Sequence, residues 1–343
     1  MKAVGYRQSL PADNEQALLD IELPDPVADG HDLLVEVRAV SVNPVDTKVR
    51  RGNPPAAGET RVLGWDAAGV VRAAGRDTHL FKADDEVYYA GVINRPGSNA
   101  QLQLVDERCV GHKPKSLDFA AAAALPLTTI TAWELLFERL RIARLPNATA
   151  DGTLLVVGGA GGVGSMVIQL ARQLTRLRVI ATATRAASAQ WCRQMGAHTI
   201  VDHGKPLADE LLRIGVGAVD YIASLTHTDQ HYRSYVDILA PQGKLALIDD
   251  PQQPIDIRLL KRKSVSVHWE FMFTRPLFQT PDMEAQHELL DVVADLVDAG
   301  QLRSTLAEVV GTIDAEHLRR AHALVESGRA IGKVVLAGFQ VGC

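Results

Sequence analysis

The pattern of hydrophobic and polar positions divides the chain into a first part of short strands and a second part in which strands and helices alternate. Up to residue 126, short apolar or alternating runs are separated by clusters of proline, glycine, asparagine and aspartate, as at residues 33–40, 68–73 and 86–89. Runs of this length between such breakers predict β-strands. We therefore predict a mainly β segment with few helices over residues 1–126.

From about residue 153 to residue 269 the rhythm changes. Apolar runs at 154–157, 179–181, 199–201, 219–223, 244–248 and 264–269 alternate with helical runs that include 163–174, 188–195 and 230–239. Parallel strands need crossover connections, so this alternation predicts a doubly wound parallel sheet. A further helix is predicted over 283–299, where apolar residues repeat at helical spacing and Gly300 can end it.

Composition limits the class of protein. The 343 residues suit two domains, and 47% hydrophobic residues allow a substantial core. A net charge of -5 without a long basic run disfavours nucleic acid as a partner. The odd number of distant cysteines (Cys109, Cys192 and Cys343) indicates a reducing compartment. Neither a signal peptide nor an apolar stretch of about 20 residues is evident, so we expect a soluble cytoplasmic protein without membrane contact.

A glycine-rich loop carries the sharpest chemical signal. Gly159, Gly161 and Gly164 form G-x-G-x-x-G directly after a predicted strand and at the start of a predicted helix. In that setting the glycines permit a tight turn, close approach of a diphosphate and close packing of helix and strand. The helix start also offers free N–H groups to phosphates. We predict dinucleotide binding by the loop, against a purely structural turn as the alternative; its residues are Gly159, Ala160, Gly161, Gly162, Val163 and Gly164.

The end of the second strand indicates which dinucleotide binds. An NAD site usually places an acidic residue there, but no acidic residue occurs between Gly164 and Asp202. Thr184 and Arg185 follow the strand instead, and an arginine can pair with the 2′-phosphate of NADPH. We predict NADPH, although a solvated loop arginine is the plain alternative for Arg185.

Several longer motifs resemble the quinone oxidoreductase branch of the medium-chain dehydrogenase/reductase superfamily. They are V-S-V-N-P-V-D at 40–46, L-G-W-D-A-A-G-V-V at 63–71, A-L-P-L-T-T-I-T-A-W at 124–133 and the glycine loop. The segments 248–251 and 269–275 resemble a subgroup often described as zinc-binding alcohol dehydrogenases. The resemblance implies a GroES-like β-barrel domain over 1–126, a Rossmann domain over 127–270 and a C-terminal return over 271–343. It also implies an active cleft between the two domains and a homodimer formed through the edge strand at 264–269.

The same resemblance locates the zinc-ligand positions of the metal-dependent relatives. Those positions hold Asn43, Trp65 and Leu127 in this chain, and leucine and tryptophan do not coordinate zinc. Between Asp84 and Cys109 the only cysteine is Cys109, so a four-cysteine structural site is not expected either. The pair His227 and His231 lacks the glutamate of H-E-x-x-H, and we interpret it as a polar loop or surface. We predict no metal site.

The chemistry left to such a chain is hydride transfer to an acceptor that is already electrophilic. Without zinc nothing obvious stabilises an alkoxide, whereas a quinone or enone oxygen needs only a hydrogen-bond donor. The resemblance implies that Asn43 and Thr131 stand near the nicotinamide and the acceptor. Asn43 is also a common turn residue before proline, and Lys48 is either a donor or an exposed surface lysine.

Four further residues are candidates for cofactor contacts. His203 and Arg329 are expected near the adenosine phosphate, with ordinary surface positions as the alternative. Asp249 and its neighbour Asp250 are expected to line the nicotinamide side by their backbone. No tyrosine follows Gly52, which puts enoyl-thioester reduction in doubt.

The function predicted from the sequence is therefore NADPH-dependent reduction of quinones or related conjugated carbonyls by a zinc-independent enzyme. A 2-alkenal or enone reductase shares every feature above. A zinc alcohol dehydrogenase is a more distant alternative, and a non-catalytic NADPH-binding sensor represents a different class.

Overall fold

The computed structural model describes residues 1–147 and 151–339, which form two compact units. The first unit combines Met1–Ile130 with Phe273–Cys343, and the second is Thr131–Met272. The C-terminal segment therefore belongs to the same unit as the N-terminal strands. Cys109 and Cys192 are buried and form no disulfide; Cys343 lies outside the described residues.

The first unit contains two sheets. A small sheet pairs the first strand with the second and fourth. In the larger, seven-stranded sheet, the long third strand pairs with the fifth, seventh and sixteenth strands, so the C-terminal strand completes a sheet begun near the N-terminus. The strands are β1 (Lys2–Tyr6), β2 (Leu19–Glu22), β3 (Asp32–Val42), β4 (Arg61–Val62), β5 (Ala67–Ala74), β6 (Glu86–Tyr89), β7 (Leu102–Asp106), β8 (Val110–His112), β15 (Leu306–Gly311) and β16 (Lys333–Ala337).

Helices cover parts of this β unit. The first begins after Asn43, where Pro44 is pre-set for a helical start and a capping box with Asp46 satisfies free backbone N–H groups. The helices of this unit are α1 (Pro44–Gly52), α2 (Phe119–Ala123), α8 (Thr274–Phe278), α9 (Ala285–Asp298) and α10 (Ala315–Glu326). Helix α3 (Pro126–Trp133) runs from the last residues of this unit into the second, where it continues as a π-helical segment, Glu134–Arg139.

The second unit is a six-stranded, all-parallel sheet with the order β11-β10-β9-β12-β13-β14. This order, with the first strand of the unit in the third place, is that of a dinucleotide-binding Rossmann sheet. The elements are β9 (Thr153–Val157), α4 (Gly162–Leu174), β10 (Arg178–Thr182), α5 (Ala186–Gln194), β11 (Thr199–Val201), α6 (Leu207–Arg213), β12 (Val219–Ser224), α7 (Thr228–Ile238), β13 (Leu239–Leu247) and β14 (Ser266–Trp269). The predicted fold class, a GroES-like β unit with a doubly wound parallel sheet, is confirmed.

Two expectations need correction. Strand β13 begins at Leu239 rather than at residue 244, because Leu239 already pairs with Val219 of β12; between Leu239 and Lys244 the register shifts, and Gln242 takes a positive φ of 65° there. A helical stretch of 21 residues, Phe119–Arg139, is long and apolar enough to cross a membrane, contrary to the expectation that no such stretch exists. Its most apolar window is 78% buried inside the fold, and a buried core helix gives the same signal.

Candidate active site

The glycine loop connects the central strand β9 to helix α4 at the carboxyl edge of the parallel sheet. Gly158 has a positive φ of 86°, and Gly161 precedes the helix in an extended conformation. The Gly158 N–H donates to Thr182 Oγ1 at 3.3 Å, which ties the loop to the end of β10. The N–H groups of the first helical turn have no intrahelical acceptors, so the loop presents an anion-binding helix start.

Crowding around the glycines differs sharply from one position to the next. A Cβ on Gly164 would lie 2.4 Å from the Gly158 carbonyl oxygen, and one on Gly159 would lie 2.9 Å from the Ala181 Cβ. A Cβ on Gly161 would meet nothing closer than 3.5 Å. Gly159 and Gly164 therefore allow the strand and helix to pack, while the space at Gly161 is open.

Thr184 and Arg185 follow β10, whose parallel pairing with β9 brings them to the same sheet edge as the glycine loop. Both residues are exposed, and Arg185 immediately precedes helix α5. The edge at which a ribose-binding carboxylate is usually found thus carries a hydroxyl and a guanidinium. This arrangement is compatible with an additional phosphate on the ribose.

His203 lies beyond β11, the edge strand next to β10. Its ring meets that of His231 at 5.8 Å and 78°, so helix α7 packs against this histidine. Burial lowers the pKa of both imidazoles, and each is also affected by neighbouring histidines. His227 takes a left-handed conformation before α7, and its Nδ1 lies 2.7 Å from Thr226 Oγ1. The lowered pKa values of His203 and His231 favour their neutral forms, so these two imidazoles are not a cation site.

The side chain of Asp249 has specific partners, while its predicted backbone position beside the nicotinamide stays a prediction. Its carboxylate accepts the Thr228 N–H at 2.9 Å and also contacts the Thr228 hydroxyl. The aspartate therefore fixes the start of helix α7 beside the carboxyl end of β13.

In the β unit, the positions implied for zinc ligands surround a buried polar network. Asp66 Oδ2 accepts the Asn43 side-chain amide at 2.8 Å and lies 3.0 Å from Lys333 Nζ. Asp66 Oδ1 accepts the Leu127 backbone N–H at 2.8 Å. The ammonium of Lys333 also donates to the Asn43 side-chain oxygen and to the Val42 carbonyl. All four side chains of this network, counting Asp46, are at most 3% exposed.

The electrostatics of the network follow from burial. Desolvation raises the pKa of Asp66, and the Lys333 ammonium opposes that rise. Desolvation also raises the pKa of Asp46 to about 7, against the stabilising N–H of Asn43 at 2.7 Å. The buried cation on Lys333 is thus the principal partner of the Asp66 carboxylate.

These residues do not fit a catalytic zinc ion. Trp65 is fully buried, with its indole N–H bonded to the Val92 carbonyl at 3.1 Å and its ring edge-on to Phe273 at 6.2 Å. Leu127 offers only a backbone N–H to the network. The Lys333 ammonium would repel a dication, and neither Trp65 nor Leu127 carries a zinc-binding atom.

The remaining predicted residues are dispersed. Lys48 is exposed on α1, and Thr131 is buried on α3 at the first position of the second unit. Arg329 is exposed in the turn after α10, in the first unit, where its N–H bonds to Ser327 Oγ at 3.2 Å. The structure thus groups the glycine loop with Arg185 and places Asn43 in a separate buried network. The roles assigned to Lys48, Thr131 and Arg329 stay predictions.

Two groups of residues escaped the sequence analysis. Asp66 and Lys333 were not identified as a pair, because they lie 267 positions apart in the sequence; the only signal was the aspartate in the motif at 63–71. Glu134 and Glu270 are buried carboxyl groups near Arg139, which donates to Glu270 at 2.9 Å. Burial and the Glu134 carboxyl raise the pKa of Glu270 well above its usual range. No local sequence pattern predicts that Glu134 and Glu270 lie close together.

Comparison with known proteins identifies both units. The alcohol dehydrogenase GroES-like domain matches residues 29–115, and the zinc-binding dehydrogenase family matches residues 195–336. A zinc-type alcohol dehydrogenase-like protein of Staphylococcus epidermidis is 38% identical over 98% of this chain and 99% of its own length.

Solved structures give the same result. A putative zinc-dependent alcohol dehydrogenase from Rhizobium etli superposes with a TM-score of 0.95 at 56% identity, covering 99% of both chains. The Escherichia coli quinone oxidoreductase, solved with NADPH, has a TM-score of 0.82 at 23% identity, covers 98% of this chain and 100% of its own, and shows the common fold. The chain belongs to the zinc-type alcohol dehydrogenase-like family within the medium-chain dehydrogenase/reductase superfamily of oxidoreductases.

Proposed function

We propose that this oxidoreductase uses NADPH to reduce quinones or related conjugated carbonyls by direct hydride transfer, without a catalytic zinc ion. The observation that carries the proposal is the buried Asn43–Asp66–Lys333 network with Trp65 and Leu127 at the implied ligand positions. An enzyme with this arrangement would lack the zinc ion that stabilises the alkoxide in zinc-dependent alcohol dehydrogenases.

The choice of NADPH is supported by the carboxyl edge of the Rossmann sheet. The free N–H groups at the start of α4 suit the diphosphate, and the open space at Gly161 allows its close approach. Arg185 stands where a 2′-phosphate would gain a charge-assisted hydrogen bond. The bound cofactor supplies the hydride.

The protein residues would bind and orient the acceptor. The family resemblance implies that Thr131 lies near the acceptor, and its hydroxyl could donate a hydrogen bond to a carbonyl oxygen there. In this structure the Asn43 amide donates to Asp66 at 2.8 Å and to the Ser41 carbonyl at 3.4 Å. A contact of Asn43 with an acceptor therefore stays a prediction, and its observed contacts give it a positioning role.

Reduction of 2-alkenals or enones is the second candidate function. The observation in its favour is again the pair Trp65 and Leu127 at the implied zinc-ligand positions, because activated double bonds accept a hydride without a metal ion on their oxygen. A non-catalytic NADPH sensor would share the glycine loop but show no turnover.

The proposal extends to location and assembly. A cytoplasmic protein is consistent with Cys109 and Cys192, which form no disulfide. Strand β14 ends the six-stranded sheet, and its Trp269 is 54% exposed. Pairing of two such edges would cover this strand in a homodimer.

A panel of acceptors tests the function. We expect NADPH oxidation with several quinones or enones and negligible reduction of simple aldehydes and ketones. Thr131→Val should lower single-turnover hydride transfer by up to about a hundredfold, whereas Thr128→Val, on the same helix, should not. Faster turnover of a simple aldehyde would contradict the substrate class, and NADPH binding without turnover of any acceptor would favour the sensor.

A further inference from the structure

We propose that His31, His79 and Glu107 form a second, non-catalytic site that binds a transition-metal dication such as Zn²⁺. Their candidate ligand atoms all lie within 4.8 Å of one another. The three residues belong to the β unit and share no residue with the Asn43–Asp66–Lys333 network.

Sheet pairing brings the three residues together from distant parts of the sequence. Asp32 pairs with Asp106 at the start of β3 and the end of β7, so His31 and Glu107 adjoin, and the Glu107 N–H donates to the His31 carbonyl at 2.9 Å. Strand β5 ends beside the same start of β3, and the loop after it carries His79. The ligands are thus fixed by the sheet rather than by one mobile loop.

Glu107 is held in the geometry of a metal ligand. Its carboxylate is fully buried, and Oε2 accepts the N–H groups of His79 at 2.9 Å and Leu80 at 2.8 Å. Hydrogen bonds of this kind orient a ligating carboxylate from behind. The other oxygen, Oε1, lies 3.5 Å from His31 Nδ1 and 3.2 Å from His79 Nδ1.

These distances suit a shared ion. Zinc bonds of 2.0–2.1 Å at tetrahedral angles place neighbouring ligand atoms about 3.3 Å apart. The two imidazoles meet at 75°, with ring centroids 6.5 Å apart, so they approach Oε1 from different directions. With side chains 40% and 62% exposed, His31 and His79 leave solvent access for a water ligand and for exchange of the ion.

Charge favours the same conclusion. The backbone N–H groups of His79 and Leu80 bond to the buried Glu107 carboxylate but do not neutralise its negative charge, and a nearby cation would. The neighbouring guanidiniums pair elsewhere, Arg95 with Asp32 at 2.7 Å and Arg108 with Asp106 at 2.7 Å. The two imidazoles therefore face Glu107, and two nitrogens with one oxygen select zinc, nickel, cobalt or copper over magnesium and calcium.

Calorimetry with Zn²⁺ on tag-free, chelator-treated protein tests this site directly. We expect one ion bound per chain, no response to Mg²⁺, and at least a tenfold loss of affinity in His31→Ala and in His79→Ala. His317→Ala is the matched control, because its imidazole contacts a single carboxylate, Asp314, at 2.7 Å. With Cu²⁺ as the probe, electron paramagnetic resonance should show two nitrogen ligands in the native chain and one in each single variant.

Two results would overturn the site. One is absence of saturable Zn²⁺ binding by a protein whose circular dichroism is native. The other is equal loss of affinity in all three histidine variants, which would indicate scattered surface binding. Because the His31 and His79 rings are partly exposed, replacing them should leave the fold intact. Neither the calorimetry nor the spectroscopy depends on enzyme turnover.

Discussion

At the scale of single residues, the charged side chains of Arg185 and Lys333 differ in their surroundings. Arg185 is exposed at the edge of a sheet, so we expect its main contribution to be to the binding of a ligand. Lys333 is buried with Asp66, so we expect it to contribute to the stability of the folded protein. The two therefore predict different phenotypes.

Replacement of Arg185 by alanine should weaken NADPH binding and leave NADH binding nearly unchanged. A charge-assisted hydrogen bond contributes about 1.5–3 kcal/mol, equivalent to a ten- to hundredfold change in the dissociation constant. Fluorescence titration with both cofactors measures the effect, and the control is Arg193→Ala, at an exposed arginine in helix α5, which Arg185 precedes. Equal loss for both cofactors would remove Arg185 from the 2′-phosphate.

Replacement of Lys333 by methionine should destabilise the β unit. The substitution leaves the Asp66 carboxylate buried without its cation, and breaking a buried pair in this way costs about 3–5 kcal/mol. Denaturant unfolding measures the loss, and adding Asp66→Asn in the same chain should recover most of it. A loss below about 1 kcal/mol in the single variant would show that the pair contributes little.

At the scale of elements, the strands and helices of the Rossmann unit were predictable because their patterns are local. Alternating apolar and helical runs located all six strands of the unit, and the glycine loop marked the start of α4. Helix α6, with only seven residues, has too few turns to show a periodic face. The Asp66–Lys333 contact depends on the antiparallel pairing of β16 with β3, which sequence spacing does not reveal.

The glycine loop permits a matched pair of substitutions. Gly164→Ala should reduce stability by about 1–3 kcal/mol, because its Cβ would lie 2.4 Å from a carbonyl oxygen. Gly161→Ala should leave stability unchanged, since φ is -74° and the nearest atom is 3.5 Å away, yet it should weaken NADPH binding. Thermal melts and cofactor titrations separate the two effects; the reverse pattern would contradict the assigned geometry.

Helix α10 contains a buried histidine that should make stability depend on pH. Burial, with a smaller effect of nearby Arg50, lowers the pKa of His322 from 6.5 to about 3. Between these two pKa values His322 is protonated in the unfolded chain but neutral in the folded chain. The free energy of unfolding therefore falls as the pH decreases below 6.5. This one group accounts for about 2 kcal/mol between pH 7 and pH 5.

His322→Leu should remove that part of the pH dependence. Denaturant unfolding at pH 7 and pH 5 gives the comparison, with His317→Gln as a control at a partly exposed position. The account of His322 is wrong if the leucine variant loses as much stability as the native chain between the two pH values.

At the scale of the whole molecule, the chain combines a family defined by zinc-type enzymes with side chains that do not fit zinc at the implied positions. One relative is named zinc-type alcohol dehydrogenase-like and another a putative zinc-dependent alcohol dehydrogenase, whereas this chain holds a lysine ammonium within its polar network. The proposed His31–His79–Glu107 site is partly open and should release its ion to a chelator. Catalysis and metal content can therefore be separated in one preparation.

The most direct measurement is NADPH:quinone turnover before and after complete removal of metal, with zinc quantified by elemental analysis. We predict that chelator-treated protein holds less than about 0.1 zinc per chain, keeps its full rate, and gains nothing when Zn²⁺ is restored. A rate that disappears with the zinc and returns with one equivalent would contradict zinc-independent hydride transfer.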